Sequence, residues 1–212
     1  VFWWNKVATY AQRKPSPLNG FDLFNYMALI VCARARDYAE ITFHKFADEL
    51  EAKDAAGQYA FGAPENEKHR VTWEGIAVWT YLGATFKGLK NQGAVMTGSA
   101  YPGLWSLVYT PGDLESMAEA YTNVYINTCG PNRYEEFYKV VKNSKSDGIV
   151  LHLNRSCKLM GLLNNEGAEY VNAKLGVPYV SFDGDQTDPR VFTPAQYETR
   201  VQALTEMMDE NQ

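Results

Sequence analysis

The residues best suited to chemistry lie around Cys157. In Leu151-His152-Leu153-Asn154-Arg155-Ser156-Cys157-Lys158 an apolar strand runs into a polar turn and then a helix. That junction puts Cys157 where unpaired backbone N–H groups and the helix dipole favour a thiolate, which is both a nucleophile and a metal ligand. Cys129 stands in Asn127-Thr128-Cys129-Gly130-Pro131-Asn132, an irregular loop whose glycine and proline let the backbone approach a bulky group. Cysteines on two such loops can share one cofactor. Equally, with no Cys-x-x-Cys pair, they are two inert small residues. Cys32, among Leu29, Ile30, Val31 and Ala33 on a helix, reads as a small packed side chain. Three cysteines fit neither a disulfide framework nor a zinc ribbon, and an odd count points to reduced thiols and a cytoplasmic setting.

A second candidate is acidic. Asp183-Gly184-Asp185-Gln186-Thr187-Asp188-Pro189-Arg190 follows a strand, and its three carboxylates suit Mg²⁺ with a phosphate. The simpler expectation is a turn in which Asp side chains accept from local N–H groups and Arg190 pairs with one of them. His44 on a helix, His69 in a polar loop and His152 in a strand show no metal-ligand spacing. His152 lies just before the Cys157 turn, but a strand histidine is ordinarily packed and hydrogen-bonded. Trp3, Trp4, Trp73, Trp79 and Trp105 are expected in the core or an interface. Gly-x-Gly-x-x-Gly, phosphate-loop and Gly-x-Ser-x-Gly motifs do not occur, which weighs against dinucleotide, NTPase and serine-hydrolase chemistry.

These residues need a scaffold. From Phe21 to about Lys53 apolar residues recur every three or four positions, predicting one long helix or two nearly continuous ones. Lys14 to Gly20, with two prolines, makes a linker or turn, and Ala55 to Lys68 makes a loop. From Arg70 onward short apolar runs alternate with helical segments, the pattern of a parallel sheet with crossover helices. Strands are expected near Val71 to Trp79, Ala94 to Gly98, Gly148 to Leu153 and Pro178 to Phe182. Helices are expected over Tyr81 to Lys90, Leu114 to Tyr121, Arg133 to Ser144, Lys158 to Leu175 and Pro194 to Asp209. Asp113 and Thr193 are the N-caps expected for the second and the last. The fold class is therefore α/β, a flavodoxin-like doubly wound parallel sheet of about four strands preceded by a helical segment. Ligands then belong at the carboxyl ends of the strands.

The 212 residues allow one full domain with an extension, and 46% apolar with 21% charged residues describes a folded, soluble chain. The net charge of −5 and the lack of a basic tract argue against a nucleic-acid partner. The longest apolar stretch, Tyr26 to Ala33, falls far short of the roughly 20 residues of a membrane span, and no secretory signal is visible.

Asp147-Gly148-Ile149-Val150 through Asn154-Arg155-Ser156-Cys157-Lys158, then Gly176-Val177-Pro178, Asp183 to Arg190, and Thr199-Arg200-Val201-Gln202-Ala203-Leu204 together resemble the 2-hydroxyacyl-CoA dehydratases. These are relatives of benzoyl-CoA reductase and 2-hydroxyglutaryl-CoA dehydratase subunits, and Trp73-Glu74-Gly75-Ile76 fits the strand opening their second α/β domain. The resemblance implies an oxygen-sensitive lyase of anaerobic amino-acid fermentation, a heterodimer in which each subunit carries a 4Fe-4S cluster on three cysteines. An ATP-dependent iron-sulfur activator injects one electron, and the (R)-2-hydroxyacyl-CoA loses water through a ketyl radical to give the 2-enoyl-CoA. Carried over by position, Cys129 and Cys157 are cluster ligands. The third comes from an N-terminal domain that this chain lacks, so the chain corresponds to the C-terminal part of the substrate-binding, alpha-type subunit. Residues 1–69 are then a helical segment leading from that domain, and 70–212 the cluster-binding domain. Asn154, Arg155 and Ser156 are expected to shape the site around cluster or thioester. A Mg²⁺-dependent phosphoryl-transfer enzyme and a non-catalytic ligand-binding domain remain the alternatives.

Overall fold

The computed structural model describes residues 1–211, the side chain at 162 aside; Gln212, the last residue of the expected cluster-binding domain, lies outside them. Helices α1 (Phe2–Tyr10), α2 (Gly20–Cys32) and α3 (Asp37–Ala55) come first. Then follow β1 (His69–Glu74), α4 (Leu82–Asn91), β2 (Ala94–Ser99), α5 (Ala100–Gly103), α6 (Leu114–Thr122) and α7 (Gly130–Asn143). The chain ends with β3 (Gly148–Asn154), α8 (Lys158–Leu175), β4 (Tyr179–Gly184) and α9 (Pro194–Glu210). All strand pairs are parallel and the order is β2-β1-β3-β4, the flavodoxin-like arrangement expected.

Both faces of the sheet are covered, as parallel sheets require. One face, including Val71, Trp73, Met96, Val150 and Phe182, packs against α2, α4 and α9 through Phe21, Phe24, Leu89, Tyr197, Val201 and Leu204. On the other, Ile149 and Leu151 meet Phe137 and Val141 of α7 and Ala168 and Val171 of α8. A separate cluster joins α1, α2 and α3 through Trp4, Val7, Met27, Ile30, Phe43 and Leu50. Two faces of α2 therefore serve two cores.

Several boundaries differ from expectation. The first strand stops at Glu74 rather than Trp79, because Gly75 takes φ +100° and turns the chain out of the sheet. A Cβ there would stand 2.6 Å from the His152 carbonyl oxygen, so only glycine fits. Of the two forms expected for the long helical stretch, the two-helix one is found, with the break at Ala33–Arg36, where Ala35 adopts φ +62°. Helix α7 begins at Gly130, three residues before the expected start, since Pro131 is tolerated in a first turn. Asp113 caps α6 as expected, accepting from the N–H groups of Glu115 and Ser116, both at 3.0 Å. Thr193 precedes α9 without a side-chain cap; its carbonyl accepts from Tyr197 instead. Cys32 is exposed at the end of α2 rather than packed, and His69 is buried at the start of β1 rather than in a loop. Among the described residues, no helix is long and apolar enough to cross a membrane.

Candidate functional site

The segments that follow the four strands converge on one cavity of about 460 Å³. Ile76 comes from the turn after β1, Tyr101 to Leu107 from the stretch after β2, Asn154 to Met160 from the end of β3 into α8, and Gln186 from the loop after β4. Tyr121, Val124, Ile126 and Asn127, from the end of α6 and the turn before α7, close the wall. This is where open parallel sheets bind ligands, since the crossover connections leave a crevice beyond the strands' carboxyl ends.

Cys157 sits on that wall, half-buried, at the N-cap of α8 with no side-chain capping bond of its own. Tyr101 lines the same cavity, and its hydroxyl is pushed up by burial and, secondarily, by the nearby Cys157. Asn154 and Ser156 line the cavity too. Arg155 does not: it is exposed, 3.6 Å from Asp183 in a surface pair. Cys129 caps the N-terminus of α7 at the same end of the sheet but is exposed and outside the lining. Of the five expected site residues, Asn154, Ser156 and Cys157 come together on one wall.

The acidic loop anchors this wall. Asp185 is buried and accepts from Ser156 N at 3.0 Å, Thr187 N at 2.9 Å and Asp188 N at 3.0 Å, and from the Ser156 hydroxyl. The Ser156 hydroxyl and these N–H groups hold its carboxyl well below the usual carboxylate range. Asp188 accepts from Arg190 N and pairs with its guanidinium at 2.7 Å, which brings its carboxyl down to about 2. Asp185 and Asp188 thus accept from N–H groups of their own loop and Arg190 pairs with Asp188, as the turn expectation had it, while Asp183 pairs with Arg155 across from the β3 turn. Among the described residues no three His, Cys, Asp or Glu side chains converge as a metal site. Cys157 brings one cysteine sulfur to the lining, the kind of soft donor that iron-sulfur groups take, so the wall by itself fits such a group through a single ligand.

Behind the cavity lies a buried network that sequence reasoning missed. Glu74 at the end of β1 accepts from the Tyr125 hydroxyl at 2.8 Å. Arg133, also buried, stacks over the Tyr125 ring at 4.7 Å and donates to the Leu159 carbonyl, Met160 Sδ and Asn164 Oδ1. It joins the first turns of α7 and α8, the two helices that follow Cys129 and Cys157. Burial raises Glu74 to about 7 despite Tyr125, Arg133 and the Gly75 N–H, and burial likewise pushes Tyr125 up. A signal existed: Arg70, Thr72 and Glu74 alternate with Val71 and Trp73, and in a sheet covered on both faces such a strand must bury its polar side against partners.

His152 is fully buried, its Nδ1 2.6 Å from the Ile76 carbonyl and its ring stacked on Phe182. The carbonyl only accepts, so Nδ1 carries the proton, and burial lowers the pKa. It is a packed histidine, as expected. Trp4 and Trp73 fill cores, Trp3 stacks on His44, Trp79 is part-exposed and Trp105 lines the cavity.

Comparison with known proteins gives the family. The family model described as 2-hydroxyglutaryl-CoA dehydratase, D-component, matches residues 3–208. The chain belongs to that family. It is 61% identical, over its whole length, to the lactoyl-CoA dehydratase subunit alpha of Anaerotignum propionicum, covering 50% of that protein. It is 43% identical to the (R)-2-hydroxyisocaproyl-CoA dehydratase alpha subunit of Clostridioides difficile, with 98% of this chain and 50% of the relative aligned. With the (R)-2-hydroxyglutaryl-CoA dehydratase subunit alpha of Acidaminococcus fermentans it shares 40% identity over 98% of its length and 43% of the relative. The chain spans about half the length of the curated relatives it matches.

Proposed function

We propose that the chain is part of the alpha-type subunit of an oxygen-sensitive iron-sulfur dehydratase, a cytoplasmic hydro-lyase that converts an (R)-2-hydroxyacyl-CoA into the 2-enoyl-CoA. The observation that carries this reading is the single cavity built from all four strand ends, with Cys157, Asn154 and Ser156 on one wall, in a chain of this family. The relatives' names as alpha subunits support a second, homologous subunit as partner, and an ATP-dependent iron-sulfur activator completes the proposal.

Cys157 is the ligand this wall offers to a 4Fe-4S cluster, Cys129 is the second candidate, and further ligation comes from an N-terminal region. When bound, such a cluster supplies low-potential one-electron chemistry. The chain's own residues do the rest: Asp185 fixes the Ser156 N–H and hydroxyl, Asn154 and Ser156 hold polar atoms of the thioester end, and the apolar walls keep water out. Arg155, on the same turn but outward-facing, serves the turn through its pair with Asp183.

Iron and acid-labile sulfide, measured in the complete subunit bound to its partner and purified without oxygen, test the reading. About four irons per cluster-bearing subunit are expected, lost in Cys157→Ala. Loss in Cys129→Ala assigns that residue as a ligand; retention places the remaining ligands in the N-terminal region. An iron-free complete complex overturns the proposal. Undiminished turnover after Ser156→Ala removes the Ser156 role.

A further inference from the structure

We infer that Glu74, Tyr125 and Arg133 position the candidate site from behind, through one buried network that ties together three of the segments forming the walls around Cys157. The inference rests on the dehydratase reading above and adds three positioning residues to that site.

None of the three lines the cavity, yet each is held to a segment that does. Glu74 ends β1, two residues before Ile76 of the lining. Tyr125 stands between Val124 and Ile126, both on the lining, and its hydroxyl donates to Glu74 Oε1 at 2.8 Å. Its turn is braced from within. The Val124 carbonyl accepts from Asn127 N at 2.8 Å and Thr128 N at 3.2 Å, and the Tyr125 carbonyl accepts from Thr128 Oγ1 at 2.9 Å. The turn can therefore move as one piece, and the Tyr125–Glu74 bond fastens that piece to the end of the sheet. Arg133, over the Tyr125 ring at 4.7 Å, carries the connection on to α8. Its Nη1 donates to the Leu159 carbonyl at 3.3 Å, and its Nη2 to Met160 Sδ at 3.1 Å and Asn164 Oδ1 at 3.2 Å. Met160 is itself on the lining, three residues after Cys157.

The network is not closed, which argues against stability as its reason. Glu74 Oε2 and Asn164 Nδ2 are buried with no hydrogen-bond partner among the described residues. Each such group costs about 1–3 kcal/mol, and apolar side chains of the same shape would avoid that cost. What the carboxyl provides instead is direction. A hydrogen bond fixes both the distance and the angle of the turn, whereas apolar contact is non-directional and would let it slide. Because none of the three residues touches the cavity space, cutting the network leaves a bound thioester its contacts and disturbs only their placement. Misplacement acts on turnover more than on binding.

The test uses the complete subunit with its partner, purified without oxygen and assayed with the activator on lactoyl-CoA, 2-hydroxyisocaproyl-CoA and 2-hydroxyglutaryl-CoA. For each variant kcat and KM are determined separately, and iron, acid-labile sulfide and the urea midpoint are measured alongside. Tyr125→Phe keeps the ring beneath Arg133 and removes one oxygen; kcat is expected to fall about 10-fold or more with KM within about 3-fold and iron as in the wild type. Glu74→Ala is expected to do the same. Glu74→Gln, which still accepts from Tyr125, is expected to recover most of the loss. The double variant Glu74→Ala, Tyr125→Phe should lose no more than the worse single one, since both cut the same bond. Unchanged kcat in Tyr125→Phe overturns the inference. So does a fall in kcat matched by lost iron, the result of a merely structural role, and so does a Glu74→Gln complex as impaired as Glu74→Ala. If Glu74→Ala fails to fold, Tyr125→Phe decides alone. A wild-type complex that dehydrates none of the three thioesters overturns the dehydratase reading, and this inference falls with it.

Discussion

Burial holds the Glu74 carboxyl up to about 7, against an ordinary 4.5, while Tyr125, Arg133 and the Gly75 N–H pull it down. Below pH 4.5 folded and unfolded states are both protonated. Between 4.5 and about 7 only the unfolded state releases its proton, so stability falls as pH rises through that window and levels off above it. The difference corresponds to on the order of 3 kcal/mol. Glu74→Gln still accepts from Tyr125 but cannot ionise. It should therefore gain on the wild type between pH 5 and pH 8 in urea midpoint; a constant difference would show that Glu74 does not titrate there. Arg133→Met leaves the Leu159 carbonyl and Asn164 Oδ1 without their donor and removes the cation nearest Glu74. A loss of about 3 kcal/mol is expected at pH 8, and a smaller one at pH 5, where Glu74 is neutral. Denaturation at the two pH values reads both.

At the scale of elements, what the sequence revealed depended on how local the cause is. Hydrophobic periodicity and capping residues act within a few positions, which is why β2, β3, β4, α8 and the Asp113 cap were legible. The Cys157 turn was legible for the same reason, being a strand end and a helix start in eight consecutive residues. The Glu74 network was not, because its members come from β1, the turn before α7, α7 and α8, and meet only after the sheet forms. The break at Ala33–Arg36 carries neither glycine nor proline, so the periodicity left one helix and two nearly continuous ones as alternatives without placing the break. Helix α1 carries the same local signal, since Trp4, Val7 and Ala11 repeat at helical spacing and all are buried. Gly75 is the element boundary with the most direct test. Gly75→Ala meets both the positive φ and the His152 carbonyl, so a loss of about 2 kcal/mol or more in unfolding free energy is expected. Gly103→Ala, where a Cβ meets nothing, is the control that should change little.

For the whole molecule, α2 decides whether the chain unfolds in one step or two. Phe21 and Phe24 pack against Trp73 on the sheet, while Met27 and Ile30 of the same helix pack with Trp4, Phe43 and Leu50 of α1 and α3. Neither cluster can release α2 without exposing the other, and exposing several large apolar side chains costs more than the few kcal/mol that separate folded from unfolded domains. Folding of the helical layer should thus be coupled to folding of the sheet. Phe24→Ala removes a fully buried ring from this joint, at a cost of about 3–5 kcal/mol, and its effect should reach both sides. Followed by tryptophan fluorescence and far-UV circular dichroism, the urea transitions of wild type and variant should each be single and coincide between probes. An earlier transition that spares the environment of Trp73 would mean that α1 to α3 unfold on their own and that α2 leans on the sheet without joining it.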